Sequence, residues 1–231
     1  MSCLKNNNPD KKLKNILFFL PAMLLSPSML TAQVQVSKEP MHKKVLENKY
    51  IRLLDVWVQP GDTSLFHIHS TPSVFLQLTN TTVASQVKGQ DWVKDQSVKG
   101  NAWYRSFLND TLVHRVSNRD TVPFHVNDIE ILSPYSSVAQ NKLLPFTVLF
   151  ENEKAVAYRL TNSSLTKQII SRRGPLIAEL AEGADILFHD ANGRKSVNIR
   201  PGKYLYIKPG RSFYFSAKEN EKINLVLFEI K

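Results

Sequence analysis

Hydrophobic and polar residues alternate along most of this chain with a period of two, and a helical period is poorly developed throughout. Val34 and Val36 stand between polar neighbours, and Pro40 and Met41 then interrupt the pattern. Residues 45–50 lead into Ile51–Val58, a run of β-formers that closes at the turn signal Pro60-Gly61-Asp62. Further strands are predicted over 65–69, 73–78 and 103–108, around His114, and over 124–132. Lys88-Gly89-Gln90-Asp91 and Val98-Lys99-Gly100 read as hairpin ends. Only residues 176–182 offer a short rival helical pattern.

After Ser133-Pro134-Tyr135-Ser136-Ser137, which reads as a linker, the pattern starts again. Leu46-Glu47-Asn48 is echoed by Phe150-Glu151-Asn152, and the segment 72–78 by 174–180. Residues 114–131 are echoed by 213–230, with Ser117 matching Ser216, Asp120 matching Glu219, and Glu130-Ile131 matching Glu229-Ile230. The offset drifts from 104 to 102 to 99 residues, which loops absorb. Echoes in the same order predict an internal duplication. In that alignment Gln77 meets Glu179 and His114 meets Phe213, while the places of His67 and His69 fall near Ile169 and Ser171.

Composition narrows the possibilities. The 231 residues suit one large or two small β domains. The net charge of +10 is spread thinly, and no basic arm, zinc finger or helix-turn-helix pattern marks a nucleic-acid binder. Lys5, Lys11, Lys12 and Lys14 precede a largely apolar stretch broken by Pro21, Ser26, Pro27 and Ser28, and Ala32 offers a small residue for cleavage. This order predicts a signal peptide over 1–32 rather than a spanning helix, and a periplasmic or secreted mature protein. Removal would take away the only cysteine, Cys3, and leave a charge of about +7, because the leader carries those four lysines and Asp10. A mature chain without thiols must rely on its core.

The candidate chemistry is histidine chemistry. His67 and His69 are two apart in a predicted strand, so both imidazoles face one side. His114 lies on another predicted strand. Three imidazoles can hold a metal that keeps open positions; the competing reading is a chance pair on a solvated strand. His42, beside two lysines, reads as surface, and His189 as an exposed turn residue. No serine nucleophile elbow, H-E-x-x-H, Cys-His pair, P-loop or dinucleotide motif occurs.

Gly61, five residues, His67-x-His69 and the pair His114 and Asn118 resemble the two sequence motifs of the cupin superfamily, in a two-domain, bicupin form. The glutamate of the first motif is replaced by Ser73, and Trp103, Asn109 and Thr111 replace the glycine, proline and glycine that open the second. Gly202 and Gly210 keep the glycine frame of the second repeat, whose histidine is replaced by Phe213. The resemblance implies tandem all-β double-stranded β-helix (jelly-roll) barrels. Residues 33–42 would be an N-terminal arm, 43–133 the metal-binding barrel, 134–142 a linker and 143–231 a barrel without ligands. It implies one divalent ion on His67, His69 and His114, with Fe(II) the first expectation and Zn, Mn, Ni or Cu open.

Three neutral histidines would leave the site at +2, which favours a chelating anion. A three-histidine oxygenase or lyase acting on a small anionic molecule is then expected. The alternatives are a non-catalytic binding or sensing module and a structural bicupin. Gln77 and Arg105 are the candidate catalytic residues; Gln77 can equally be a satisfied core amide. Ser73, Asn118 and Tyr104 are candidates for the pocket. Asp55 and Asp128 read as solvated, or as orienting a ligand histidine, and Glu179 as turned to solvent or a loop. The expected partner is a small molecule, with no nucleic acid and no stable membrane span; pairing into a homodimer is open.

Overall fold

The computed structural model describes residues 33–161, 168–193, 196–218 and 221–231; the expected leader with Cys3, and the echo at Glu219, lie outside the described residues. From residue 33 onward these residues belong to one compact unit. Its first half contains β1 (Val34–Gln35), β2 (His42–Glu47), β3 (Ile51–Val58), β4 (His67–His69), β5 (Ser73–Gln77), β6 (Thr81–Val87), β7 (Trp92–Ser97), β8 (Ala102–Arg105), β9 (Leu112–Asn118) and β10 (Phe124–Ile131). They form two five-stranded sheets, ordered β1-β4-β9-β6-β7 and β2-β3-β10-β5-β8. The second half contains β11 (Thr147–Glu151), β12 (Ala155–Leu160), β13 (Leu176–Gly183), β14 (Ile186–Asp190), β15 (Ser196–Ile199), β16 (Tyr204–Ile207), β17 (Phe213–Ser216) and β18 (Ile223–Ile230). Its sheets are ordered β11-β12-β18-β13-β16 and β15-β14-β17. Among the described residues no helix is long and apolar enough to cross a membrane.

The packing explains the pattern of residues. Leu54, Val56, Val58 and Val126 point into the first half with Phe75 and Phe107. Their neighbours on the same strands, Ile51, Leu53, Leu76, Ile129 and Ile131, turn outward and meet Ala157, Ile177, Val226 and Phe228 of the second half. Sheet β2-β3-β10-β5-β8 is thus covered on both faces, and every residue of β5 and β10 is buried. A third cluster, including Tyr158, Leu180, Phe188 and Phe213, fills the second half.

The duplication is visible in the register. Asn48 Oδ1 accepts from the amides of Tyr50 and Ile51, and Asn152 Oδ1 accepts from those of Lys154 and Ala155. β10 lies between β3 and β5 as β18 lies between β12 and β13. His67 faces His114 across β4 and β9, and Ile170 faces Phe213 in a corresponding bridge. The place of His67 is therefore Ile170, one residue beyond the expected Ile169. The alignment of Gln77 with Glu179 is also corrected. Leu76 pairs with Asn127 and Glu179 with Val226, whereas Gln77 pairs with Val126 and Leu180 with Leu225. Glu179 therefore occupies the place of Leu76. It is fully buried between the two halves instead of facing solvent, and its Oε2 accepts from Asn127 Nδ2 at 3.1 Å.

Two boundaries also move. The strand expected at 34–36 stops at Gln35 and gives way to a 3-10 turn over Val36–Lys38. β2 begins at His42, three residues before the hydrophobic pattern does, because its first residues are a buried imidazole and two exposed lysines rather than apolar residues alternating with polar. The strand expected over 103–108 ends at Arg105, ahead of Phe107, which has a φ of 56°.

Candidate metal centre

β4 and β9 are neighbours, and their register sets His67 opposite His114 with His69 two residues along on the same face. The rings of His67 and His114 are 4.6 Å apart between centroids, those of His67 and His69 5.0 Å, and those of His69 and His114 5.1 Å. His67 is fully buried and His69 nearly so, while His114 is half-buried.

Hydrogen bonds fix which nitrogen each ring keeps free. His67 Nδ1 donates to the Leu65 carbonyl at 2.9 Å, so Nε2 carries the lone pair. His114 Nδ1 lies 3.1 Å from Ser85 Oγ. Nε2 of His67 and Nε2 of His114 are both buried without a hydrogen-bond partner. Leaving such a nitrogen unpaired costs about 1–3 kcal/mol, and a metal ion satisfies both at once. His69 Nδ1 stands 3.5 Å from Asp128 Oδ2, and its ring stacks on Phe107 at 4.9 Å. Asp128 is almost completely buried, so it does not face solvent.

Electrostatics keep these rings in the ligating form. Burial, then the charge of His42, pushes His67 down to about 4. Burial, then His67, His42 and Arg105, pushes His114 down to about 3. His69 is lowered further by burial and by its histidine neighbours. Burial, then Glu130, raises Asp128 well above the ordinary carboxyl range, against the pull of Ser73 and Arg52. Neutral imidazoles beside a neutral acid present lone pairs without adding anionic charge.

The residue missed by the sequence reading is His42. It is buried rather than on the surface, and its ring lies 4.5 Å from His67 and 6.3 Å from His69. The ligating atoms of His42, His67 and His69 fall within 4.8 Å of one another. Its Nδ1 is 2.6 Å from Glu39 Oε2. Two exposed cationic neighbours in sequence, Lys43 and Lys44, hid a residue whose own side chain is buried.

The other candidates divide. Arg105 lies over Phe107 at 5.1 Å and close enough to depress His69 and His114, so it stands at the site. Ser73 is fully buried, and its hydroxyl donates to the Thr71 carbonyl. Gln77 donates its amide to the carbonyls of Thr79 and His125, which makes it a brace between β5 and β10. Asn118 donates to the carbonyls of Val58 and Val122 and accepts from the Asp120 amide, holding a turn. Tyr104 faces away from the histidines, packs against the second half, and reaches Glu153. Asp55 bonds His125, not a candidate ligand. His189 is a strand residue held by Ser216 and Ser196.

Comparison with solved structures places this geometry in a known fold. Protein Ylba from E. coli matches with a TM-score of 0.59 at 7% identity, over 87% of each chain. AerE from Microcystis aeruginosa matches with a TM-score of 0.53 at 11% identity, over 84% of this chain and 98% of its own. A cupin 2 conserved barrel domain protein from Leptotrichia buccalis matches with a TM-score of 0.53 at 9% identity, over 82% of this chain and 88% of its own. The fold is a cupin fold. No family profile and no curated protein matches the sequence, so its likeness to other cupins rests on the fold alone. Within this fold the histidine cluster sits in the first half, and Ile170 and Phe213 close the equivalent place in the second.

Proposed function

We propose that this protein is a two-barrel cupin that binds one divalent metal ion in its first barrel, on His67, His69 and His114, and acts on a small anionic organic molecule as an oxygenase or lyase. The observation that carries this is the pair of buried, unpartnered Nε2 atoms on His67 and His114, residues that pair across adjacent strands beside His69. The bound ion would supply Lewis acidity and, if it is Fe(II), access to dioxygen chemistry.

The chain's own residues set the charge of the site. Ser73 is too short to ligate where the motif has a carboxylate, so no motif carboxylate would offset the charge of the ion. Arg105 adds a guanidinium at the mouth, which attracts an anion and steers its carboxylate toward the histidines. Phe75 and Phe107 wall the site with apolar surface and exclude water from it. The basic, then apolar, then small-residue order of residues 1–32 supports export, with metal acquired outside the cytoplasm.

The test is elemental analysis of protein produced in metal-supplied medium, followed by oxygen-uptake and product screening against small mono- and dicarboxylates. One equivalent of metal is expected in the wild type and much less in His114→Ala. Absence of a stoichiometric ion from the wild type would overturn the proposal. Metal without turnover or oxygen uptake would favour the binding-module alternative.

A further inference from the structure

The arm ahead of β2 carries more order than a tether needs. Val34 and Gln35 pair in parallel with His67 and Ile68, the strand that bears two of the histidines. The 3-10 turn then delivers Glu39 to a buried position, where its carboxylate accepts from the amides of Met41 and Leu65 and lies 2.6 Å from His42 Nδ1. Burial opposes ionisation of Glu39, but the hydrogen bond and charge of His42 and the two amides outweigh it and hold the carboxyl below its ordinary value. A carboxylate only accepts, so Nδ1 of His42 carries the hydrogen and Nε2 is left to face the cluster. Leu65 joins the two systems: its carbonyl orients His67 and its amide holds Glu39.

The ring separations report how closely the imidazoles cluster. An imidazole bound at about 2.0–2.1 Å puts its centroid about 3.1 Å from the ion. Two such centroids are then about 4.4 Å apart at a right angle, about 5.1 Å apart at the tetrahedral angle and about 6.2 Å apart when opposite. The pairs His42–His67, His67–His114, His67–His69 and His69–His114, at 4.5, 4.6, 5.0 and 5.1 Å, lie between the first two values. His42–His69, at 6.3 Å, is wider, so His42 stands on the His67 side of the cluster.

The second half supplies an independent comparison. His42 pairs with Val56 and Lys43 with Asp55; Thr147 pairs with Arg159, which puts Phe146 in the place of His42. Phe146 packs against the core of the second half. Where Ile170 and Phe213 stand for His67 and His114, Phe146 stands for His42, so the apolar replacements extend to this position as well.

Building on the three-histidine centre proposed above, we infer that His42 is a fourth metal ligand, oriented by Glu39. Four imidazoles leave two positions on a metal that accepts six ligands. That set suits a metal that accepts six ligands over one that prefers four, and a substrate that chelates through two atoms or shares the site with one small molecule. Glu39 returns one negative charge to the site through His42 without occupying a metal position.

The experiment is titration of the full chain and its variants with Co(II) and Cu(II), read by visible absorption, calorimetry and pulsed EPR. Wild type should bind one equivalent, with a weak six-coordinate Co(II) spectrum. His42→Ala should weaken Co(II) about 10- to 100-fold and change that spectrum, with added imidazole restoring it, and Glu39→Gln should weaken binding by about 10-fold. If His42→Ala does not fold, wild-type Cu(II) protein decides: remote-nitrogen modulation from four imidazoles supports the inference, and from three overturns it. Equal affinity and an unchanged spectrum in His42→Ala also overturn it while leaving the three-histidine centre standing. A wild type that takes up no ion overturns both, whereas loss confined to His114→Ala overturns the His42 assignment alone.

Discussion

Replacing Glu179 with glutamine should make the protein more stable at pH 8 and nearly unchanged at pH 4.5. Glu179 lies between the two halves among Leu76, Ile177 and Val226, with one hydrogen bond from Asn127 and an unpartnered Oε1. Burial, with the charge of Asp55 adding to it and the Asn127 bond opposing it, pushes its carboxyl from 4.5 up to about 8. Between those values the folded chain keeps a proton that the unfolded chain has released. Stability must then fall as pH rises, by about 1.4 kcal/mol per pH unit at most, and level off above 8. Over the whole span this amounts to about 4–5 kcal/mol. Glutamine accepts the same hydrogen bond from Asn127 and does not titrate. Urea midpoints of wild type and Glu179→Gln at pH 5, 6.5 and 8 isolate the effect, since every other titrating group cancels in the difference. Parallel pH dependences for the two proteins would refute the reasoning.

Two further outcomes follow from packing and from the N-terminal sequence. Phe213→Ala, in the place of His114 in the second half, should cost about 3–5 kcal/mol by urea denaturation and leave metal stoichiometry unchanged, because the ring is fully buried and remote from the histidines. Mass spectrometry of exported protein should find a chain beginning near Gln33, and a cytosolic chain retaining Met1 would contradict the export reading.

Much of the fold was legible because strand periodicity and turn residues act locally. The pair His67 and His69 could be placed on one face from spacing alone, and β4 and β9 then brought His114 to them. What could not be read was everything that depends on pairing between distant strands. A one-residue difference in the β13 register exchanges interior for interface, which is why Glu179 matched Gln77 in sequence and Leu76 in space. His42 was obscured for a related reason. Charged neighbours on a strand's exposed face say nothing about the residue between them and the core. Tyr104 and Arg105 show the same rule at β8, where adjacent residues serve opposite faces.

The position of His42 has a practical and an evolutionary edge. A recombinant chain trimmed to begin at residue 43, where the hydrophobic pattern invites the cut, would fold its sheets yet lose Glu39, His42 and the β1 partner of β4 together. Inheritance works under the same geometry. A side chain on the first residue of an edge strand can be exchanged with little disturbance to the sheet behind it. Surveys that classify such proteins by motifs inside the barrel would therefore group together chains whose metal chemistry differs.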